Sequence, residues 1–183
     1  MTRTILSMTP RHRQAALDMV EQVFTEHENA AEGALVRHLV EEIRSKKYHL
    51  PELELIMVDE ADEVIGYAMF SRFHLEGRYE DELLLLSPVA VKTELQRQHI
   101  SRDLLEYGLQ KAADLGYKAV IVEGNPLNYR SRGFVTAAHH RIIPGPNLHL
   151  PHIDCLMVRE LQEGTLEDIY GMVDYSFYNT LCE

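Results

Sequence analysis

Hydrophobic residues follow two spacings along this chain, and the change between them separates predicted helices from predicted strands. A short apolar run at 3–8 predicts a strand, and Thr9 followed by Pro10 is a common helix start. From there to about residue 25, apolar side chains fall three and four residues apart, which is the period of one helix face. A second helix is predicted at 30–47, where leucine and isoleucine recur every four residues.

The central part of the chain has the shorter period of strands. Segments 53–59 and 64–73 flank a polar turn and predict a hairpin. The segment 81–91, DELLLLSPVAV, is the most apolar and predicts a central strand that is buried on both faces. Pro88 lies inside it, and because proline cannot donate a hydrogen bond to a sheet, we expect a β-bulge there.

The rest of the chain alternates between the two periods. Gly116 is placed to end the next helix. The order of all elements predicts a mixed sheet with helices on both faces. We expect a single domain over 1–161 and a C-terminal extension, 162–183, that packs on it. The remaining elements are a helix at about 99–115, a strand at 118–124, a turn with one helical turn at 125–134, and strands at about 134–143 and 154–161.

Composition and charge narrow the class of protein. The chain has 183 residues, of which 45% are hydrophobic and 26% charged, values typical of a globular protein. Its formal charge of −11 argues against nucleic acid or an anionic membrane as a partner, since both need a basic surface. The first residues lack the apolar core of a signal peptide, and no apolar run reaches the ~20 residues that span a bilayer. We therefore expect a cytoplasmic protein.

The cysteine and histidine patterns indicate neither a disulfide framework nor a metal. Cys155 and Cys182 are the only cysteines, and both are expected to be inert thiols. The closest histidine groupings are HH at 139–140 and HLPH at 149–152. Adjacent histidines in a strand point to opposite faces, and no familiar zinc spacing is completed. We expect no metal site.

A polar turn between the most apolar strand and the next helix is the first candidate for a ligand site. Free backbone N–H groups and the helix dipole make a turn just before a helix N-terminus a common phosphate site. Such turns usually carry glycine, and this one has none. On its own, the turn favours an ordinary helix cap. Its residues are Gln96, Arg97, Gln98, His99, Ile100 and Ser101.

The segment 82–134 resembles a known family. The order of its elements, with LLLLSPVAVKTELQRQHISRDLLEYGL and NPLNYRSRGF, is similar to the GNAT superfamily of acyl-CoA-dependent N-acyltransferases. It most resembles a bacterial subgroup of predicted N-acetyltransferases that carry a proline in the fourth strand and a Pro-x-x-Tyr-x-x-x-Gly-Phe segment. The resemblance implies an α+β fold: a central mixed, mostly antiparallel sheet of about seven strands, helices on both faces, and a splayed pair of fourth and fifth strands.

The resemblance also implies a site for acetyl-CoA. The pantetheine arm of this cosubstrate fills the gap between the splayed strands like an extra strand, which agrees with the bulge inferred at Pro88. A bulge that binds no ligand is the alternative. The backbone groups that would face the arm belong to Val89, Ala90 and Val91.

In the family the phosphate loop has the pattern Gln/Arg-x-x-Gly-x-Gly/Ala, with its N–H groups aimed at the pyrophosphate. By resemblance, Gln96 takes the first position, while His99 and Ser101 replace the two small residues. Arg97 and Arg102 could add charged hydrogen bonds to a phosphate. If position 99 needs a positive φ, histidine costs on the order of 1 kcal/mol. Such a cost weakens a site without abolishing it.

Tyr129 is the candidate catalytic residue. In the family, a tyrosine four residues before Gly-Phe protonates the departing thiolate, and Tyr129 has that position relative to Gly133-Phe134. A phenol with a pKa near 10 is protonated at neutral pH, which suits an acid. A tyrosine that only packs beside the turn is the alternative. Glu82 and Glu123 flank the splayed strands as candidates for a general base, although either could be a solvated strand-end carboxylate.

Together these features predict an N-acetyltransferase that transfers an acetyl group from acetyl-CoA to a primary amine by direct attack. The acceptor is expected to be a small-molecule or peptide amine. The altered loop and the aromatic C-terminal extension leave a second interpretation open: a catalytically weak or inactive GNAT-like module that binds CoA or another protein. The extension is also a candidate contact for a homodimer.

Overall fold

The computed structural model describes residues 2–181, so Met1, Cys182 and Glu183, and with them the prediction for Cys182, lie outside the described residues. The elements follow the predicted order as far as β5 and the helical turn after it. The helices are α1 (Arg13–His27), α2 (Ala30–Ser45), α3 (Ile100–Asp114) and α4 (Pro126–Tyr129). The strands are β1 (Thr4–Ser7), β2 (Glu54–Val58), β3 (Val64–Leu75), β4 (Arg78–Val91), β5 (Ala119–Glu123), β6 (Val135–Thr136), β7 (Ile142–Pro144), β8 (Leu156–Glu160) and β9 (Gly171–Val173).

Seven of these strands form one mixed sheet in the order β1-β2-β3-β4-β5-β8-β6. Neighbouring strands are antiparallel, with the exception of β4 and β5, which are parallel. This confirms the predicted α+β fold with a mostly antiparallel sheet of about seven strands. A second sheet, which the sequence did not predict, pairs β7 with β9 in parallel.

The sheet has a hydrophobic core on each face, because successive side chains of a strand point to opposite sides. On β5, Ala119 and Ile121 belong to the core that α1 and α2 cover. Val120 and Val122 belong to the core that α3 covers. The expectation of helices on both faces is therefore confirmed.

β4 contains the bulge that Pro88 predicts. Pairing with β3 advances two residues along β3, from Ala68 to Phe70, but three residues along β4, from Val89 back to Leu86. The extra residue falls in the Ser87-Pro88 step, where a ladder hydrogen bond from proline is impossible. Beyond the bulge, β4 continues to pair with β3 up to Val91.

The other edge of β4 separates from β5 at the same point. The two strands pair from Leu83 to Leu85, against Ala119 to Ile121. Within the described residues, no further pairing joins them, so a gap opens between their carboxyl ends. The predicted splay of the fourth and fifth strands is present.

The prediction of a single strand at 134–143 is wrong. The segment is divided into β6, a 3-10 helix at Ala137–His140, and β7, and the two strands belong to different sheets. Arg141 has a left-handed backbone with φ 62°, which a continuous strand does not accommodate. The Thr136 hydroxyl donates a hydrogen bond to Asp154 Oδ1 at 2.8 Å, which holds the chain at the turn.

The segment 162–181 packs on the α1–α2 face of the sheet. Leu166, Ile169, Val173 and Tyr178 are buried in the core of that face, and β9 pairs with β7. The boundary at residue 161 and the homodimer contact stay predictions.

A buried carboxylate ties α2 to the sheet. Glu54 on β2 is fully buried, and its Oε1 accepts hydrogen bonds from Arg44 Nε at 2.7 Å and from the Tyr67 hydroxyl at 2.8 Å. Its Oε2 lies 2.7 Å from His49 Nε2. Burial raises the pKa of Glu54, but the hydrogen bond and charge of Arg44 outweigh burial and hold that pKa below its ordinary value. The group therefore stays ionised and paired inside the protein.

We expect Glu54→Ala to lower the free energy of unfolding by about 3–5 kcal/mol, because it leaves the Arg44 guanidinium buried without its carboxylate. Urea unfolding at neutral pH measures this, with the exposed neighbour Glu52→Ala as control, expected within about 0.5 kcal/mol of wild type. Since the folded-state pKa of Glu54 is lowered, its contribution should be complete above the unfolded pKa and decline on acidification. Equal effects of the two substitutions would contradict this role.

Candidate functional site

A cavity of about 690 Å³ lies at the gap between β4 and β5. It is enclosed by the end of β4, the loop that follows, the first turn of α3, α4, and the C-terminal turn of α1. Nine of the ten residues predicted to bind the cosubstrate line it, and Gln98 is the exception. The nine are Val89, Ala90, Val91, Gln96, Arg97, His99, Ile100, Ser101 and Arg102.

The last residues of β4 offer one open strand edge to this cavity. Val89, Ala90 and Val91 pair with β3 on one side only, opposite Ala68, Tyr67 and Gly66. On the other side, no strand of the described residues pairs with them. Backbone N–H and C=O groups on that edge need partners, and an extended ligand with amide groups could provide them.

The loop before α3 has a backbone that usually requires glycine. Arg97 and His99 both have positive φ, 62° and 66°. His99 is the N-cap of α3, and its side chain makes no hydrogen bond to the helix. The first N–H groups of a helix have no partner within it, and those of α3 adjoin the cavity. Position 99 therefore has the positive φ at which histidine is expected to cost on the order of 1 kcal/mol.

The two glutamines of the loop have different surroundings. The Gln96 side-chain amide donates to Val91 O at 3.4 Å and lies 2.8 Å from His27 Nε2 at the end of α1. Gln98 is bound from outside the cavity by Arg3, whose guanidinium donates to both its backbone and its side-chain oxygen. Gln96 therefore fixes the loop against α1, while Gln98 fixes it against the start of β1.

Tyr129 forms part of the wall opposite the loop. Its ring packs edge-to-face on Phe134, with ring centroids 5.6 Å apart. A Cβ at Gly124 would lie 2.8 Å from Tyr129 Cε2, so the absence of a side chain there makes room for the ring. Burial raises the pKa of the Tyr129 phenol, with Arg132 opposing, and the hydroxyl is protonated at neutral pH. The structure thus combines the packing role and the capacity to donate a proton.

A second cavity, of about 700 Å³, lies on the other side of the divergence. Phe24 at the end of α1 lines both cavities. Three carboxylates, those of Glu32, Glu123 and Asp174, line the second cavity. No lysine, arginine or histidine of the described chain is among its lining residues. The field in this cavity therefore favours a cation.

The structure separates the two candidates for a general base. Glu82 lies at the start of the paired stretch, forms an ion pair with Lys118 at 3.0 Å, and lines neither cavity. Glu123 is the last residue of β5, beside the gap, and its Oε2 accepts a hydrogen bond from the Tyr175 hydroxyl at 3.1 Å. Glu123 is the exposed residue of β5, but partial desolvation of its carboxylate raises its pKa, and the Tyr175 hydrogen bond partly offsets this. Only Glu123 is within the site.

Several residues of the site were not identified from the sequence. Phe24 belongs to the apolar stripe of α1, which identified it only as a packing residue, and His27 lies just beyond the end predicted for that helix. Asp174 and Tyr175 come from the predicted C-terminal extension. No local pattern reveals these contacts, because each depends on packing between parts of the chain far apart in sequence. The aromatic content of the tail was the one available signal.

The histidine pair at 139–140 and Cys155 line neither cavity. His139 and His140 lie in a 3-10 helix rather than a strand. Within residues 2–181, no group of three His, Cys, Asp or Glu side chains could hold a metal ion. Cys155 is a half-buried free thiol outside both cavities. None of the helices described for this chain is long and apolar enough to cross a membrane.

Comparison with known proteins agrees with this geometry. A crystal structure of the GNAT family N-acetyltransferase YhbS from Escherichia coli, in complex with CoA, has a TM-score of 0.83 and 25% sequence identity, covering 96% of this chain and 91% of that one. A GNAT family acetyltransferase from Brucella melitensis in complex with acetyl-CoA shares the fold, with a TM-score of 0.59, 23% identity, and coverage of 73% of this chain and 82% of that one.

Sequence comparison gives the same result. The uncharacterized N-acetyltransferase YhbS of Escherichia coli (strain K12) is 32% identical over 152 residues, which are 81% of this chain and 83% of YhbS. A model of the acetyltransferase (GNAT) family matches residues 17–139. This span includes the β4 bulge, the loop before α3 and Tyr129. The chain therefore belongs to the acetyltransferase (GNAT) family.

Proposed function

We propose that this protein transfers the acetyl group of acetyl-CoA to a primary amine. The observation that carries the proposal is that two cavities with Phe24 as a shared lining residue lie where β4 and β5 diverge, Tyr129 lining one and Glu123 the other. The CoA bound to the YhbS structure and the acetyl-CoA bound to the Brucella enzyme support the choice of cosubstrate.

The first cavity has the groups that acetyl-CoA requires. The pantetheine arm would lie along the open edge of β4, where its two amides replace the missing hydrogen bonds of a neighbouring strand. The pyrophosphate would bind at the N-terminus of α3, where N–H groups and the helix dipole favour an anion. Arg97, Ser101 and Arg102 line this part of the cavity and can donate further hydrogen bonds to phosphate oxygens.

In the proposed reaction, the amine nitrogen attacks the carbonyl carbon of the thioester, and a C–N bond forms as the C–S bond breaks. Holding both reactants at the gap makes this attack effectively unimolecular. The Tyr129 hydroxyl gives its proton to the departing sulfur, which leaves as the thiol. The nitrogen loses a proton to Glu123, directly or through one water, and the amide is the product.

The carboxylates of the second cavity favour an acceptor that is positively charged. Glu32, Glu123 and Asp174 attract a protonated amine, and in a partly enclosed cavity such attraction is stronger than in water. Glu123 must then remove one proton from the bound ammonium before attack and release it to solvent, so that it can take the second proton from nitrogen as the amide forms. The Tyr129 phenolate regains its proton from solvent. A Glu123 pKa raised by burial suits that role, because a stronger base accepts the proton more readily.

The alternative is a module that binds CoA but turns it over slowly or not at all. The observation in its favour is the loop, where His99 and Arg97 occupy left-handed conformations without the glycines that commonly fill them. Binding of acetyl-CoA and its turnover are separate measurements. The catalytic proposal predicts both, and the alternative predicts binding with little or no turnover.

Acetyl-CoA should raise the melting temperature of the protein. A ligand at 100 times its Kd stabilises the folded state by about 2.7 kcal/mol, which for a domain of this size corresponds to a shift of about 5–10 °C. Release of CoA thiol with an amine then tests turnover. Cadaverine and lysine form a matched pair, because lysine adds only a carboxylate, and we expect cadaverine to react faster. No shift at millimolar acetyl-CoA would contradict both proposals, and a shift without thiol release from any amine would favour the non-catalytic module.

Tyr129→Phe should lower kcat by a factor on the order of 10²–10⁴, the usual contribution of a general acid. The ring and its packing on Phe134 are kept, so the melting-temperature shift with acetyl-CoA should stay as in wild type. Tyr107→Phe is the control, since Tyr107 lies on α3 outside both cavities. If Tyr129→Phe lost the shift and the activity together, the hydroxyl would have a structural rather than a catalytic role.

His99→Gly should stabilise the protein by up to about 1 kcal/mol, because glycine adopts φ 66° without strain. His99→Ala is the matched variant: it removes the imidazole from the cavity but retains the Cβ, and should not relieve the backbone strain. Thermal unfolding without ligand measures the strain, and acetyl-CoA titration measures the effect of the imidazole. Equal stability of the glycine and alanine variants would show that the backbone at position 99 is not strained.

A further inference from the structure

The C-terminal segment forms one wall of the second cavity. Asp174, Tyr175, Ser176 and Leu181 line it, facing residues of α2 and the divergent ends of β4 and β5. We define the C-terminal segment as residues 174–181. Without it, the carboxyl end of β5 and the side of α2 that faces the cavity would be open to solvent on this side. The shape of the cavity therefore depends on a stretch with almost no regular secondary structure.

Polar contacts from α2 hold this segment in place. The Glu42 carboxylate accepts hydrogen bonds from the backbone N–H groups of Asn179 at 2.9 Å and Thr180 at 2.7 Å, and from the Thr180 hydroxyl at 2.6 Å. Lys46, the C-cap residue of α2, donates to Phe177 O at 2.8 Å. Burial raises the pKa of Glu42, but hydrogen bonds from Lys46 and Thr180 outweigh it and lower that pKa to about 2. The anchor is thus ionised at all working pH values.

Aromatic packing holds the same segment from the other side. Tyr178 is fully buried, and the Phe177 ring lies 5.2 Å from Tyr48 and 5.5 Å from Phe73, measured between ring centroids. Glu42, Lys46 and these rings hold residues 177–180, and the Tyr175 ring itself packs on Phe73 with centroids 6.0 Å apart. Tyr175 therefore has a defined position between the cavity and the core.

Tyr175 connects this segment to the end of β5. Its hydroxyl donates a hydrogen bond to Glu123 Oε2 at 3.1 Å. Burial and the nearby Glu123 charge raise the pKa of Tyr175 well above its ordinary value, so the phenol keeps its proton. The other charged groups that line this cavity are Glu32 on α2 and Asp174 in the segment itself. Tyr175 thus lines the same cavity as the Glu123 carboxylate to which it donates.

We propose that the C-terminal segment forms part of the acceptor site. In this site Tyr175 positions the Glu123 carboxylate, and Glu42 of α2 holds the segment over the cavity. This inference rests on the proposed function, because it assigns a partner to the proposed base. Tyr175 acts through Glu123 and is a positioning residue. Its hydrogen bond stabilises the ionised carboxylate and orients one oxygen, which leaves the other oxygen for the proton of the amine.

Tyr175→Phe tests the contact with Glu123. Removing a donor from an ionised carboxylate raises its pKa, and we expect the acidic limb of the kcat/KM profile to move up by about one pH unit. Cadaverine is the probe amine, and Tyr107→Phe is the control that should leave the profile unchanged. A direct titration of the ¹³C-labelled Glu123 carboxyl, assigned with Glu123→Gln, should show the same upward shift without any turnover. An unchanged titration in Tyr175→Phe would overturn the inference.

Glu42→Ala tests the anchor. We expect KM for cadaverine to rise by at least about tenfold, equivalent to 1.4 kcal/mol, while KM for acetyl-CoA stays within a factor of two. Glu41→Ala is the matched control, because Glu41 is the neighbouring carboxylate on α2 and contacts Arg37 instead of the segment. Equal KM values for cadaverine in Glu42→Ala and Glu41→Ala would overturn the anchoring role of Glu42. A rise in the KM for acetyl-CoA as large as the rise for cadaverine in Glu42→Ala would overturn it as well.

The outcomes separate this inference from the proposed function. If wild type acetylates no amine, the proposed function fails, and the carboxyl titration still decides whether Tyr175 holds Glu123. If wild type is active but Tyr175→Phe leaves both the pH profile and the titration unchanged, only the inference fails. Melting temperatures of all variants, taken with and without acetyl-CoA, show whether the fold and the first cavity are retained.

Discussion

The separation of β4 from β5 is the constraint on which the rest of the site depends. Pro88 cannot donate to a strand ladder, so the chain places an extra residue in β4 at the Ser87-Pro88 step. Beyond Leu85, β4 stays with β3 and leaves β5. Two otherwise buried strands thereby expose their carboxyl ends to each other across a gap. Both cavities lie beside this gap, so both depend on a single local interruption of pairing.

The C-terminal turn of α1 connects these two cavities. Phe24 lines both cavities, while Glu26 accepts a hydrogen bond from Thr93 and His27 lies 2.8 Å from the Gln96 side-chain nitrogen. The loop before α3 is therefore attached to the same turn that bounds the second cavity.

The sequence predicted the parts of this arrangement that depend on local pattern. Periodicity identified the helices and the strands up to β5, and Pro88 identified the bulge. It did not identify the break at Arg141, whose side chain donates to Glu167 O and whose carbonyl accepts from Gly171 N, contacts with distant residues that no spacing reveals. The choice between Glu82 and Glu123 was equally inaccessible, because both flank the same strands and only the direction of pairing shows which end opens. Tyr175 lies 52 residues from Glu123 in the sequence, and only tertiary packing brings them together.

The loop before α3 shows why missing glycines are weak evidence against a phosphate site. What a phosphate needs is a set of N–H groups that converge, and their directions follow from φ and ψ rather than from the identity of the residue. His99 and Arg97 adopt the left-handed values directly, so the directions are kept. The cost of those values, about 1 kcal/mol for each non-glycine residue, belongs to the free energy of folding. A domain with two large hydrophobic cores can sustain that cost. What histidine changes at the site itself is therefore the space left beside the helix N-terminus.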